Sequence, residues 1–215
     1  MDARDWVIAR DGALWVVAKP AGLRVHRAGD DGADDLMSAL ARAGIEGLAP
    51  IHRLDAPVSG VVLCSADPVV RQEAGGWFAE QEVGKTYLAL VLGRTRSKGV
   101  IRRALADGRR GRPLDAVTRW RCVERLGPVS LLEVRPETGR KHQIRRHLWG
   151  IGHPIVGDER YRPPRFVAVP GFPGRLWLHA ARVEAPDGRA WEAPLPPELL
   201  GHLALLRERA GAREG

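Results

Sequence analysis

Apolar positions along this chain recur mostly at strand spacing, with a few helical stretches between. Trp6 to Ile8 and Leu14 to Ala18 read as short strands split by Asp11-Gly12, a pair suited to a tight hairpin. Residues 27–35 are rich in Gly and Asp and read as a surface loop, followed by a helix over 35–43. The apolar run Val61-Val62-Leu63-Cys64 predicts a strand over 60–65. Asp67 followed by Pro68 is a helix start, and Val70, Ala74, Trp77 and Phe78 then share one helical face. A strand over 85–92 alternates around Tyr87. Residues 93–115 are rich in Arg and Gly and predict a protruding basic hairpin or loop. Strands over 116–124 and 129–135 precede a helix over 140–149. Residues 162–175 hold four prolines and two glycines and read as a loop. A last long strand is predicted over 176–183 and a helix over 196–209. Many strands with interspersed helices predict an α+β fold, a large mixed or antiparallel sheet flanked by helices. Residues 1–215 read as one domain.

On the helix expected at 140–149, Arg140, Ile144, Leu148 and Ile151 recur at helical spacing. An arginine on a half-buried stripe requires an anion, because an unpaired buried charge is strongly unfavourable. From spacing alone that anion is Asp55 or a nearby acid such as Glu137. Lys141, Arg145 and Arg146 face elsewhere and read as phosphate contacts or as a solvated basic face.

The charge balance sharpens this picture. The chain has 34 Lys and Arg against 26 Asp and Glu, a net charge of +8 with histidines neutral. That excess suits an anionic partner, nucleic acid first, or else a solvated basic surface. It concentrates at Arg94–Arg112 and Arg140–Arg146. The two cysteines give no disulfide framework and no zinc spacing. His142 and His147 are five apart and have no acidic or Cys ligand beside them, so no metal site is expected. The N-terminus lacks an apolar leader core and no apolar run is long enough to span a bilayer, so a soluble, cytoplasmic protein is expected.

The candidate chemistry centres on His52-Arg53-Leu54-Asp55-Ala56-Pro57-Val58-Ser59-Gly60. Pro57 excludes a helix and places Asp55 on a rigid loop leading into an apolar strand. By itself an Asp two residues before a Pro is ordinary turn chemistry. Other segments change that reading. Lys19-Pro20-Ala21-Gly22 with Val25-His26, then Lys85-Thr86-Tyr87, then Thr138-Gly139-Arg140-Lys141-His142-Gln143-Ile144-Arg145, then His153-Pro154-Ile155-Val156-Gly157-Asp158, then Leu178-His179-Ala180 follow in order. Together they resemble the RluA-type RNA pseudouridine synthases, with their HRLD, KxYxAxV, TGRxHQIR and HPIxGD motifs.

The resemblance implies an isomerase that turns uridine into pseudouridine in structured RNA without a cofactor, in a fold with a central active-site cleft. It makes Asp55 the catalytic carboxylate, with Arg140 its ion-pair partner. It makes Tyr87 the residue that stacks on the target base and serves as a general base. Ile144, and Leu54 beside Asp55, belong to the substrate-binding set; Ile144 packs against the uracil. Arg53 takes the place of the flipped nucleotide. Val58 replaces a common Thr, and Lys141 replaces a common Thr or Ser. With Val25-His26-Arg27, Lys141 leans the chain toward the tRNA pseudouridine synthase C branch, so tRNA is favoured and large-subunit rRNA is second. No membrane or obligate protein partner is expected, and the chain is expected to be a monomer. The rival reading is a non-catalytic RNA-binding or ribosome-assembly protein that retains the fold; the intact Asp55, Tyr87 and Arg140 argue against it.

Overall fold

The structure is a computed structural model, and it describes residues 2–26, 34–106, 112–163, 165 and 167–212. The loop expected at 27–35 therefore lies largely outside the described residues, as do residues 107–111 of the basic segment and residues 164 and 166 of the proline-rich loop. In chain order the elements begin with β1 (Val7–Asp11), β2 (Leu14–Lys19), α1 (Leu36–Arg42), β3 (Ala49–Pro50), β4 (Ser59–Ser65), α2 (Pro68–Ala79) and β5 (Gly84–Leu92). They continue with β6 (Lys98–Arg102), β7 (Leu105–Ala106), β8 (Pro113–Leu114), β9 (Val117–Leu126) and β10 (Val129–Pro136). α3 (Gln143–Gly150), β11 (Leu178–Glu184), β12 (Ala190–Glu192) and α4 (Pro197–Gly211) complete the order. The chain folds as two compact units, one of Met1–Gly84 with Ala180–Pro194 and one of Lys85–His179 with Leu195–Gly215.

In the first unit β2 pairs antiparallel with both β1 and β4, with Val17 opposite Val62 and Lys19 opposite Gly60. All seven residues of β4 are buried. A strand covered on both faces needs a continuous apolar run rather than alternation, which is why Val61 to Cys64 reads as it does. Burial pushes the Cys64 thiol up to about 12, so it packs as a small hydrophobe. Gly60 has φ +125°, and a Cβ there would lie 2.1 Å from the carbonyl oxygen of Ala180, so only glycine fits. Asp67 caps α2 by accepting from the N–H groups of Val69 and Val70, with Pro68 in the first turn. The expected face is the buried one: Ala74, with Val70, Trp77 and Phe78, packs on Leu14, Val16, Val61 and Leu63.

In the second unit the strand order is β5-β10-β9-β6, with antiparallel pairing throughout. Tyr87 stands opposite Val134, and Val134 opposite Trp120. Trp177, Leu90, Leu132, Leu148, Ile155 and Leu199 are fully buried. Within the residues expected to form a basic hairpin or loop, β7 and β8 pair antiparallel as a hairpin would, while β6 departs from the expectation and joins this sheet. Val100 and Ile101 are sandwiched among arginines and lysine, so the charge obscured the strand. β3 and β12, two and three residues long, were also not expected; segments that short carry no readable period. Strands with flanking helices in each unit make an α+β fold, as the pattern of elements predicts. Among the described residues no helix is long and apolar enough to cross a membrane.

Candidate active site

Asp55 belongs to the first unit and lies on the loop between β3 and β4, half-buried. Its carbonyl accepts the N–H of Val58 at 3.0 Å, closing a turn around Ala56-Pro57. That turn is held from below. Lys19, at the end of β2, is only 1% exposed. Its ammonium donates to the carbonyls of Pro20 and Leu23, each at 2.7 Å, and of Ala56 at 3.1 Å. The N–H of Gly22 also donates to the Ala56 carbonyl, at 2.8 Å. The Lys-Pro-Ala-Gly segment thus grips the carbonyl of Ala56, the residue directly after Asp55.

His52 fixes the other side of the loop. Its Nε2 accepts the N–H of Leu63 at 3.1 Å, and its ring stacks on Phe78 at 4.3 Å and 20°. Accepting at Nε2 assigns the proton to Nδ1 and keeps the ring neutral. Leu54 is 7% exposed and plugs the core, while Arg53 projects to the surface. One segment therefore delivers an apolar anchor, an exposed cation and a carboxylate in succession.

Tyr87, Arg140 and Ile144 belong to the second unit. Tyr87 is half-buried on β5. Lys85 lies two residues earlier on the same face, where burial pushes its ammonium down. α3 begins at Gln143, later than the spacing suggests, because His142 takes a left-handed conformation at φ +54°. Arg140 consequently precedes the helix and does not share a helical stripe with Ile144 and Leu148. Its Nε donates to the carbonyl of Asp115 at 3.1 Å, and its backbone N–H to the side-chain oxygen of Gln143 at 3.0 Å. Ile144 is buried at 6% exposure.

Gln143, which the residue pattern did not single out, organises this corner. Its oxygen also accepts the Thr138 hydroxyl at 2.6 Å. Its amide donates to the Val117 carbonyl at 2.9 Å and to the Thr118 hydroxyl at 3.0 Å. The Thr118 hydroxyl then donates to Nδ1 of His147 at 2.8 Å, and Nε2–H of His147 donates to the Arg103 carbonyl at 3.0 Å. This sequence of donors fixes one tautomer of a neutral His147. Burial pushes its pKa down, aided by the charges of Arg146 and Arg103 and opposed by the bond to the Arg103 carbonyl.

The expectation that Arg145 faces phosphate is corrected. Arg145 is buried and pairs with Asp158 through two bonds, Nε and a terminal nitrogen each 2.8 Å from a carboxylate oxygen. Its charge is neutralised inside the protein and has no face left toward RNA. Burial alone pushes the Asp158 carboxyl up, but Arg145 and the N–H groups of Tyr161 and Arg160 outweigh it and hold the pKa below the usual value. Lys141 is exposed, and Arg146 is half-buried with one N–H donated to the Ala106 carbonyl at 3.1 Å. The His-Pro-Ile-Val-Gly-Asp segment runs beside the end of β5, with the Leu92 N–H donating to the Pro154 carbonyl and His153 Nδ1–H to that of Leu92, both at 2.9 Å. It carries Asp158 to Arg145. The signal for Lys19, Gln143 and Asp158 was present in the motifs, but composition and period alone do not distinguish a buried pin from a surface charge. Among the described residues no group of three His, Cys, Asp or Glu side chains is placed to hold a metal ion.

The family model described as RNA pseudouridylate synthase matches residues 13–149. The chain is 32% identical to the ribosomal large subunit pseudouridine synthase D of Nitrosomonas europaea, over 94% of this chain and 65% of that protein. It is 35% identical to the tRNA pseudouridine synthase C of Haemophilus ducreyi, over 81% of this chain and 82% of that one. It thus spans about two thirds of the first relative's length and most of the second's. Among solved structures it resembles human RNA pseudouridylate synthase domain containing 4, with a TM-score of 0.78 and 25% identity, covering 95% of each chain.

Proposed function

Because the chain belongs to the RNA pseudouridylate synthase family, we propose that it isomerises uridine to pseudouridine in structured RNA, with Asp55 as the catalytic carboxylate. The observation that carries this reading is the Asp55 loop itself, held by Lys19 and Gly22 through the carbonyl of Ala56. A carboxylate with one catalytic task gains from a preorganised position. The target uridine leaves its stack, at a cost of a few kcal/mol offset by contacts in the pocket. Arg53, exposed beside Asp55, fills the vacated place. The N1–C1′ bond then breaks, with Asp55 acting at C1′ as nucleophile or by assisting a sugar intermediate. The uracil turns, C5 bonds to C1′, the C5 proton leaves and N1 takes up a proton. Electrons balance without redox chemistry, so no cofactor is required.

Tyr87 stacks on the base and accepts the C5 proton, Leu54 and Ile144 belong to the substrate-binding set, and Arg140 completes the catalytic set. Lys141 and Arg146 contact phosphate. Residues 1–215 act as one catalytic domain, in the cytoplasm and as a monomer. Relatives named for tRNA and for large-subunit rRNA both match. Lys141 within the Thr-Gly-Arg-Lys-His-Gln-Ile-Arg segment favours tRNA. Pseudouridine mapping of total RNA from cells lacking the gene tests the assignment. One or more tRNA sites reverting to uridine is expected; full retention of every pseudouridine overturns it.

A further inference from the structure

Trp149 falls in neither of the motifs on either side of it, at 138–145 and 153–158. It sits near the end of α3 and is 49% exposed, a conspicuous position for so large an apolar ring. The ring is nevertheless fixed. Its indole N–H donates to the Arg162 carbonyl at 3.0 Å, and Tyr161 lies 6.3 Å away, tilted by 50°. Tyr161 is itself held by His142, whose Nδ1 lies 2.9 Å from the hydroxyl, and by the guanidinium of Arg145, 5.2 Å from the ring centre.

Beside Trp149 opens a hollow of about 200 Å³, lined also by Leu92, Gly93, Gly152 and Pro154. Its surroundings are cationic. A Cβ on Gly150 would lie 3.1 Å from a terminal nitrogen of Arg103, which places that guanidinium against the helix end. Arg146 lies nearly one turn back on the same helix, and exposed Arg162 carries the carbonyl that pins the indole. A preorganised aromatic face, an apolar hollow and flanking guanidinium groups together match a nucleobase with its phosphates. A purely apolar peptide would offer these guanidinium groups no anion, and the hydrogen bonds of Arg146 to the Ala106 carbonyl and of Arg162 to the Glu159 carbonyl do not neutralise their charge.

We propose that Trp149 and this hollow form a second nucleotide site, which stacks one unpaired base of the RNA while Arg103, Arg146 and Arg162 meet the adjoining phosphates. The proposal rests on the RNA-modifying role above and adds a contact outside the reaction. Leu92 lies five residues beyond Tyr87 on β5, about 17 Å at 3.4 Å per residue. The base held here is therefore not the one that reacts.

The test is equilibrium binding of fluorescein-labelled oligouridine, about ten nucleotides long, and of the same oligomer with abasic sites throughout. The Trp149→Ala variant is expected to bind oligouridine about five- to a hundredfold more weakly than the parent. It should bind the abasic oligomer as the parent does, with an unchanged salt slope. Trp149→Phe should retain most of the affinity, and Arg162→Gln should weaken both oligomers alike. If Trp149→Ala matches the parent on oligouridine, or loses equally on both oligomers, the second site is overturned and the face belongs to another class of partner. If the parent binds neither oligomer nor a tRNA transcript, the RNA reading itself fails and the second site with it.

Discussion

Arg145 and Asp158 meet in a two-pronged ion pair whose side chains are 7% and 1% exposed. The pair ties α3 to the segment that follows it, and Asp158 also accepts the N–H groups of Arg160 at 3.0 Å and Tyr161 at 2.9 Å. Removing one partner strands the other charge. Arg145→Met is therefore expected to destabilise the fold by about 3–5 kcal/mol, and Arg145→Lys to recover only part of that because it loses the fork geometry. Urea unfolding with fitted midpoint and slope measures both. The pair also sets an acid limit. Its folded-state carboxyl pKa is held below the unfolded value, so its stabilisation is complete above the ordinary carboxylate range and is lost as pH falls through the lowered pKa. Stability equal to the parent in Arg145→Met would contradict this role.

RNA affinity should fall steeply with salt, but Arg145 should not contribute to the slope. Each phosphate contact adds about 0.7 to 0.9 to the log–log slope. Replacing Lys141 and Arg146 together should flatten it by about one and a half to two units if both touch phosphate. Binding titrations across salt concentrations read this directly. An unchanged slope would make these two residues a solvated surface only.

Much of the fold was legible from period and punctuation. Asp67-Pro68 and the Val70, Ala74, Trp77, Phe78 face give α2 correctly, and the continuous run at 61–64 gives a strand buried throughout. The start of α3 was not legible. Arg140 and Ile144 stand at helical spacing, but the left-handed backbone at His142 breaks the helix between them, and a periodic pattern carries no information about such a turn. Arg145 was misread for a related reason. Its ion-pair partner lies thirteen residues away, beyond the reach of any local pattern. The motifs named the candidate site residues, while the pinning roles of Lys19 and Gln143 emerged only with their hydrogen bonds.

Lys19→Met is expected to leave three carbonyls without their shared donor and to loosen the turn that carries Asp55. A buried acceptor left unpaired costs about 1–3 kcal/mol. Turnover should therefore fall more than RNA affinity, since the lysine does not face solvent. Separate measurement of kcat and of Kd for RNA checks this. An equal loss in both would place Lys19 in RNA binding instead.

Stability is expected to decline as pH falls below the ordinary histidine range of about 6.5. Burial lowers the folded-state pKa of both His147 and His202. The unfolded chain then takes up protons that the folded chain does not, so stability is full above the unfolded pKa and is lost toward the lowered folded values. His147→Gln should lower stability at neutral pH, because the Thr118 and Arg103 contacts are disturbed, and should also flatten part of the decline. Chemical denaturation at several pH values between about 5 and 8 follows the effect. A parent whose stability is level across that interval would contradict neutral, buried histidines.

The central claim is that one carboxylate, Asp55, performs the isomerisation. Asp55→Asn keeps the size and most of the hydrogen bonding of the side chain but removes its negative charge. The direct measurement is tritium release from RNA carrying 5-tritiated uridine, with RNA binding followed on the same preparation. Release from the parent and none above background from Asp55→Asn, with RNA affinity near that of the parent, is the predicted result. Appreciable release from Asp55→Asn would contradict the account.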